Sequence, residues 1–359
     1  MTGNRAGGLK DDDNVTELER VELDYPFDSL PMPGTAMEIS PGIHWVRMPL
    51  PFKLNHINLY LLDDGDGWTM VDAGYGNDET KALWREVWRT SLDGRPVTRL
   101  IVTHFHPDHV GNAGWLGETL GLVPHMTQIE WLNANLASRR GGAGDVDRRI
   151  PWYIQNGLAP DRVKFFRKAY VPYPSGVTLP PGYVRLRNGE RFTAANTSWE
   201  VHVGTGHSPE HACLYSAERG VMLGGDQILP SISPNVSAVA YEPDGDPLGD
   251  FLASLDDFRA YLPEDVLILP SHGRPFRGVH WRIDWLRDQH DERLATILGL
   301  IDQPKPAAEL IEPLFPFEFD GHQLGFAMGE VIAHLNRLVY AGDLGNEQGD
   351  DGIVRYERT

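Results

Sequence analysis

The sequence predicts an α/β layered domain, and three observations carry that prediction. Short apolar strands with period-two alternation crowd the early part of the chain. Further along, strands alternate with helix-length amphipathic segments. Several of the apolar runs end in a single polar residue beside glycine, as strand ends that open onto a site do.

The elements follow in order. Residues 1–35 are rich in Gly, Asp, Glu and Pro with no sustained apolar period, so an extended or poorly ordered arm is expected. Residues 43–48 and 56–62 alternate apolar and polar side chains, 63–67 is a turn, and 68–71 returns as the next strand. A helix is expected over about 78–92 from the stripe of Ala82, Leu83, Val87 and Trp88, and an apolar strand over 97–102. From about 127 to 182 the texture changes. Helix-like pieces at 129–140 and 150–156 are broken by Gly141-Gly142-Ala143-Gly144 and by prolines, which predicts a helical insertion over the site. Strands return at 199–203, 211–216 and 220–223, then a helix at 248–262 and a strand at 266–269. A long helix is expected from 279 to 301, and 307–359 reads as helices followed by a Gly-containing hairpin, the order of a small winged-helix-like domain. The division is thus an arm at 1–35, a main domain at 36–280 and a C-terminal domain at 281–359.

Composition bounds the function. With 359 residues the chain can bury a sizeable core, and its 41% hydrophobic and 23% charged content is that of a globular protein. Acidic residues outnumber basic ones 51 to 32, a net charge of −19, which disfavours a phosphate backbone as partner and points to a small-molecule substrate. No apolar run of about eighteen residues suggests a membrane span, and the first ten residues lack the apolar core of a secretory signal. The single cysteine, Cys213, excludes an intramolecular disulfide. Together these lead to the expectation of a cytoplasmic protein; a homodimer is compatible with them.

The densest chemical signal is His104-Phe105-His106-Pro107-Asp108-His109, at the end of an apolar strand. A loop leaving a strand can turn several side chains toward one point, and imidazole with carboxylate suits zinc and similar cations. More ligands must come from elsewhere, and four strand ends offer them: Asp72 before Ala73-Gly74, His207 in Gly204-Thr205-Gly206-His207, Asp226 after Gly224-Gly225, and His272 in Pro270-Ser271-His272-Gly273. His211 reads as a supporting residue, Cys213 as a packing residue, and Trp152, Tyr153, Tyr170 and Tyr173 as either pocket lining or packing of the insertion.

Taken in this order, Asp72, the HxHxDH cluster, His207, Asp226 and His272 resemble the five-motif pattern of the metallo-β-lactamase superfamily, over about residues 38–280. The resemblance implies a four-layer αββα sandwich and two divalent metal ions, zinc first, with iron or manganese as alternatives. It implies that His104, His106 and His207 hold one ion, that Asp108, His109 and His272 hold the other, that Asp226 bridges both, and that Asp72 orients the histidine loop. Asp108 would also help pass a proton to the leaving group. Within the superfamily the likeness is to glyoxalase-II-type and lactamase-B-like proteins with a C-terminal winged helix, carried by Asp246-Pro247-Leu248-Gly249-Asp250 and by Phe326-Ala327-Met328-Gly329-Glu330. Glu210 stands where hydroxyacylglutathione hydrolases usually have glycine, which speaks against glyoxalase activity as such. The expected reaction is hydrolysis of a small ester, thioester or lactone, with a ribonuclease-like phosphodiesterase or a mononuclear-iron persulfide dioxygenase as the alternatives.

Overall fold

The structure is a computed structural model that describes residues 23–140, 145–316 and 321–359. Residues 1–22 of the expected arm and the glycine run 141–144 lie outside the described residues.

Strands β1 (Ala36–Ser40), β2 (Ile43–Pro49), β3 (His56–Asp63), β4 (Trp68–Val71), β5 (Val97–Ile101), β6 (His125–Met126) and β7 (Val184–Arg185) form a seven-stranded sheet in that order. The first four are antiparallel, joined by short turns; β4 to β7 run parallel because intervening helices carry the chain back. A second sheet of five strands, β8 (Arg191–Ala194), β9 (Thr197–Gly204), β10 (His211–Ser216), β11 (Val221–Gly225) and β12 (Leu267–Pro270), is ordered β12-β11-β10-β9-β8. Only its β11–β12 pair is parallel, joined through a helix.

The helices are α1 (Asp78–Ser91), α2 (Pro107–Val110), α3 (Ala113–Leu120), α4 (Gln128–Arg140), α5 (Asp145–Gln155), α6 (Pro160–Ala169), α7 (Pro247–Tyr261), α8 (Val279–Leu300), α9 (Ile311–Leu314) and α10 (Gly321–Ala341). A hairpin, β13 (Leu344–Gln348) with β14 (Val354–Arg358), ends the chain.

Side-chain alternation along the strands separates the interior into three cores, and this is what makes the layers. Ile57, Leu59 and Leu61 of β3 point into a core shared with Trp84 and Val87 of α1 and Leu116 of α3. Tyr60 and Leu62, one step out of phase, join Ile43, Trp45, Trp199, Leu214 and Leu223 in a core between the two sheets. Cys213 and Met222, on the far face of the second sheet, pack with Leu248, Phe251, Leu255, Ile283 and Leu286 of α7 and α8. Helix, sheet, sheet and helix follow in that sequence, the αββα arrangement.

One expectation needs correcting. The helix expected from residue 150 starts at Asp145 and runs through Pro151. The buried Val146, Ile150 and Tyr153 lie on one face at helical spacing, and their burial outweighs the hydrogen bond that a proline removes. Of the expected arm, residues 23–35 are docked: Leu23 is buried, and Asp24 exchanges two backbone hydrogen bonds with Arg277, at 3.3 and 2.8 Å. The insertion is also tied down, since α6 packs along α10, where a Cβ at Gly321 would come within 2.4 Å of Ala169.

Candidate metal centre

The parallel pairs β4–β5 and β11–β12 bring their carboxyl ends to one edge of the sandwich, and β9 runs in the same sense as β11 because both are antiparallel to β10. Asp72 follows β4, the HxHxDH loop follows β5, His207 follows β9, Asp226 follows β11 and His272 follows β12. All eight residues singled out in the sequence therefore meet at this edge.

Their atoms converge closely. His104, His106, His207 and Asp226 form one group and Asp108, His109 and His272 a second, each with its donor atoms within 4.8 Å of one another. In the first, His104 Nε2 is 2.9 Å from His106 Nδ1 and 3.3 Å from His207 Nε2, which is 3.5 Å from Asp226 Oδ2. In the second, His272 Nε2 is 3.3 Å from Asp108 Oδ2, and His109 Nε2 is 3.7 Å from the same carboxylate oxygen. Asp226 reaches both: Oδ2 lies 3.4 Å from His272 Nε2 and Oδ1 3.4 Å from His109 Nε2. Ligands about 2.1 Å from a tetrahedral cation stand ~3.4 Å apart, so most of these separations are those of a coordination shell. Moreover, His109 Nε2 and Asp226 Oδ1 are buried with no hydrogen-bond partner, atoms whose burial a cation would offset. The residues fit a pair of metal ions.

The outward-facing nitrogens fix the rings. A carbonyl can only accept, so His207 Nδ1 must donate to Asn235 O, at 2.8 Å, and His272 Nδ1 to His56 O, also at 2.8 Å. Asp72 Oδ2 accepts from His109 Nδ1 at 2.8 Å. The Thr103 hydroxyl donates to the Asp72 carboxylate, which leaves its lone pair to accept from His104 Nδ1 at 3.0 Å. Four imidazoles thus carry their Nδ1 proton outward and turn Nε2 to the centre. His211 does the opposite: its Nε2 accepts the Asp226 backbone N–H at 3.1 Å, which leaves no lone pair for a cation.

Asp72 holds this network from a left-handed backbone, φ 66°, with Thr103 N also donating to Oδ1 at 2.7 Å. A side chain there other than Asn, Asp or Gly is strained.

Charge follows the two groups. Burial opposes a charged ring, yet Asp226, Asp108 and Asp72 hold the His109 pKa well above its usual value, and Asp226 and Asp108 lift His272 to about 10. In return, and against their own burial, Asp108 falls to about 2 and Asp226 well below the carboxylate range, pulled by those same two histidines. Burial leads the shift of the first group's rings, with His106 lowered to about 3.

Sequence reasoning missed the supports. Glu130, on α4 and fully buried, accepts Phe105 N at 2.9 Å with one oxygen and Glu210 N at 2.7 Å with the other. It thereby ties the HxHxDH loop to the His207 loop. Burial pushes its pKa up to about 7, against the pull of those two N–H groups. The Tyr173 hydroxyl donates to Phe105 O, so this aromatic borders the centre, while Tyr153 is buried against Phe166. No sequence signal separates Glu130 from a solvated helix glutamate.

Residues 53–272 match the metallo-beta-lactamase superfamily, and residues 294–359 match a family described as metallo-beta-lactamase-like, C-terminal domain. A crystal structure of a beta-lactamase domain protein from Burkholderia ambifaria is 42% identical with a TM-score of 0.88, covering 95% of this chain and 100% of that one. The probable metallo-hydrolase YqjP of Bacillus subtilis is 26% identical over 302 residues, 82% of this chain and 91% of that protein. A linear primary-alkylsulfatase of Pseudomonas is 24% identical over 320 residues, 81% of this chain but 56% of that protein.

Proposed function

This chain belongs to the metallo-β-lactamase superfamily, and from that premise we propose that it hydrolyses a small ester, thioester or lactone at a centre for two divalent cations, zinc first. His104, His106 and His207 would hold one ion, Asp108, His109 and His272 the other, with Asp226 shared. The single observation that carries the reading is the position of Asp226, within 3.5 Å of rings from both groups.

Two bound cations supply Lewis acidity and, at neutral pH, a nucleophile drawn from water. The chain's own residues do the rest. Asp72 and Thr103 orient His109 and His104; the carbonyls of Asn235 and His56 orient His207 and His272. Rings locked in this way need no reorganisation as charge develops on the reacting carbonyl. The Asp108 side chain is 18% exposed against 9% for Asp226. We therefore assign Asp108 the relay of a proton to the leaving group.

The likeness to a protein named an alkylsulfatase supports a second reading, a sulfate ester in place of a carboxyl ester. Metal analysis joined to a substrate panel tests both. The protein should carry about two metal equivalents and lose its esterase activity on chelation. One equivalent of iron, with oxygen uptake on a persulfide, would overturn the reading.

A further inference from the structure

Helix α10 of the C-terminal domain carries a part-exposed apolar side chain between two segments that support the metal centre. Gln323, Phe326 and Gly329 follow at three-residue spacing and so share one stripe of the helix. At one end of the stripe, Lys53 Nζ donates to Gln323 Oε1 at 2.8 Å. At the other, Ala238 N donates to Gly329 O at 3.0 Å, and a Cβ at Gly329 would come within 2.7 Å of the Ser237 side chain.

Both partner segments belong to the centre. The one with Lys53 leads into His56, whose carbonyl holds His272. The one with Ser237 follows Asp226 and includes Asn235, whose carbonyl holds His207. Phe326 stands between the two contacts and is 48% exposed, whereas Leu324, Ala327 and Met328 around it are buried. Phe52 and Leu54 flank Lys53 and are 37% and 36% exposed. The ring of Phe52 lies edge-on to Tyr75 at 5.2 Å, three residues beyond Asp72. Three large, partly exposed apolar side chains thus lie on segments that adjoin the centre.

We infer that these side chains rim the centre and receive the aliphatic chain of the substrate, so that the preferred class is a longer-chain acyl ester or thioester rather than an acetyl one. The inference rests on the hydrolase reading above and names its substrate. A protein partner is disfavoured, because three side chains fall far short of the roughly 20–30 residues that each side of a stable interface supplies.

The test uses metal-loaded protein and p-nitrophenyl acetate, butyrate and octanoate. A methylene fully buried on binding is worth about 0.8 kcal/mol, roughly fourfold in affinity, so partial burial along the rim should raise kcat/KM at least about tenfold from acetate to octanoate, through KM. In F326A and F52A the octanoate-to-acetate ratio should fall about fivefold or more, while V123A, a change at an exposed apolar residue in the loop before β6, keeps the wild-type ratio. Equal kcat/KM along the series, or a ratio unchanged in F326A and F52A, overturns the inference. Calorimetric binding of acetate, butyrate and octanoate reads the rim without turnover. Affinity that rises with chain length and drops in F326A, with no ester cleaved, supports the rim and sinks the esterase reading. Affinity independent of chain length sinks the rim.

Discussion

The Asp72 carboxylate takes the Thr103 backbone N–H, the Thr103 hydroxyl and the His109 Nδ1 proton, and so orients two rings at once. In Asp72→Asn the left-handed backbone remains acceptable, but the new amide N–H₂ faces the His109 N–H. Relief requires the other tautomer, which places a proton on the nitrogen that faces the centre. Metal affinity should fall about 10–100-fold with little loss of folding stability, read by competition with a chromophoric chelator; unchanged affinity would remove the orienting role. Glu130→Gln has the same logic at one remove. An amide can accept only one of the two N–H groups, so one loop is released, and dialysis against a mild chelator should draw off the ion held by His104, His106 and His207 first. A variant that keeps both equivalents under those conditions refutes the strut. The convergence of the seven proposed ligands was legible because histidine and aspartate at strand ends have few other reasons to cluster. Glu130 and the carbonyl of His56 were not, since a lone helix glutamate and a backbone oxygen look the same wherever they occur.

Among the elements, the loop after β9 shows why glycine precedes His207. Gly206 has φ +94°, and a Cβ on it would lie 2.3 Å from the Phe251 side chain and 2.6 Å from its backbone nitrogen. Helix α7 is therefore packed directly against the loop that aims His207. Gly206→Ala should cost about 1–3 kcal/mol of stability in chemical denaturation, from the strained backbone and the clash together. It should also lower metal affinity, because the loop can move only by carrying His207 with it. A variant as stable and as metal-tight as wild type would show that α7 does not constrain the loop. Sequence reading found such strand ends, and it found β2 to β5 and β9 to β12, because their alternation and apolar runs are long enough to carry a period. Strands β6 and β7 have two residues each, too few for any period, and their pairing is imposed by neighbours in the sheet. The start of α5 was hidden by Pro151, a local breaker overruled by the burial of Val146, Ile150 and Tyr153.

For the whole molecule, the packing of α10 against α8 makes stability depend on pH through a pair of buried histidines. His334 Nδ1 must donate to Glu330 O, at 2.8 Å, so its Nε2 accepts from His290 Nδ1 at 3.1 Å, joining α10 to α8. Both rings are buried, and burial first, then Arg293 nearby, lowers His334 to about 4; burial, His334 and Arg293 lower His290 to about 2. In the unfolded chain each titrates near ~6.5, so below that pH the unfolded state binds more protons than the folded one. The contribution is therefore complete above pH ~6.5 and is lost as pH falls toward 4, by up to about 1.4 kcal/mol per pH unit for each ring. Acidification also relieves the repulsion of a chain with net charge −19, an effect of opposite sign that every variant shares. The comparison that isolates the pair is thus wild type against His290→Gln with His334→Gln, unfolded in urea between pH 7.5 and 5. The double variant should start less stable yet lose less on acidification, with a slope shallower by up to two protons. Parallel slopes would mean that the two rings are already protonated or exposed in the folded protein, and that α8 and α10 are held together by their apolar faces and the Arg293–Glu330 ion pair.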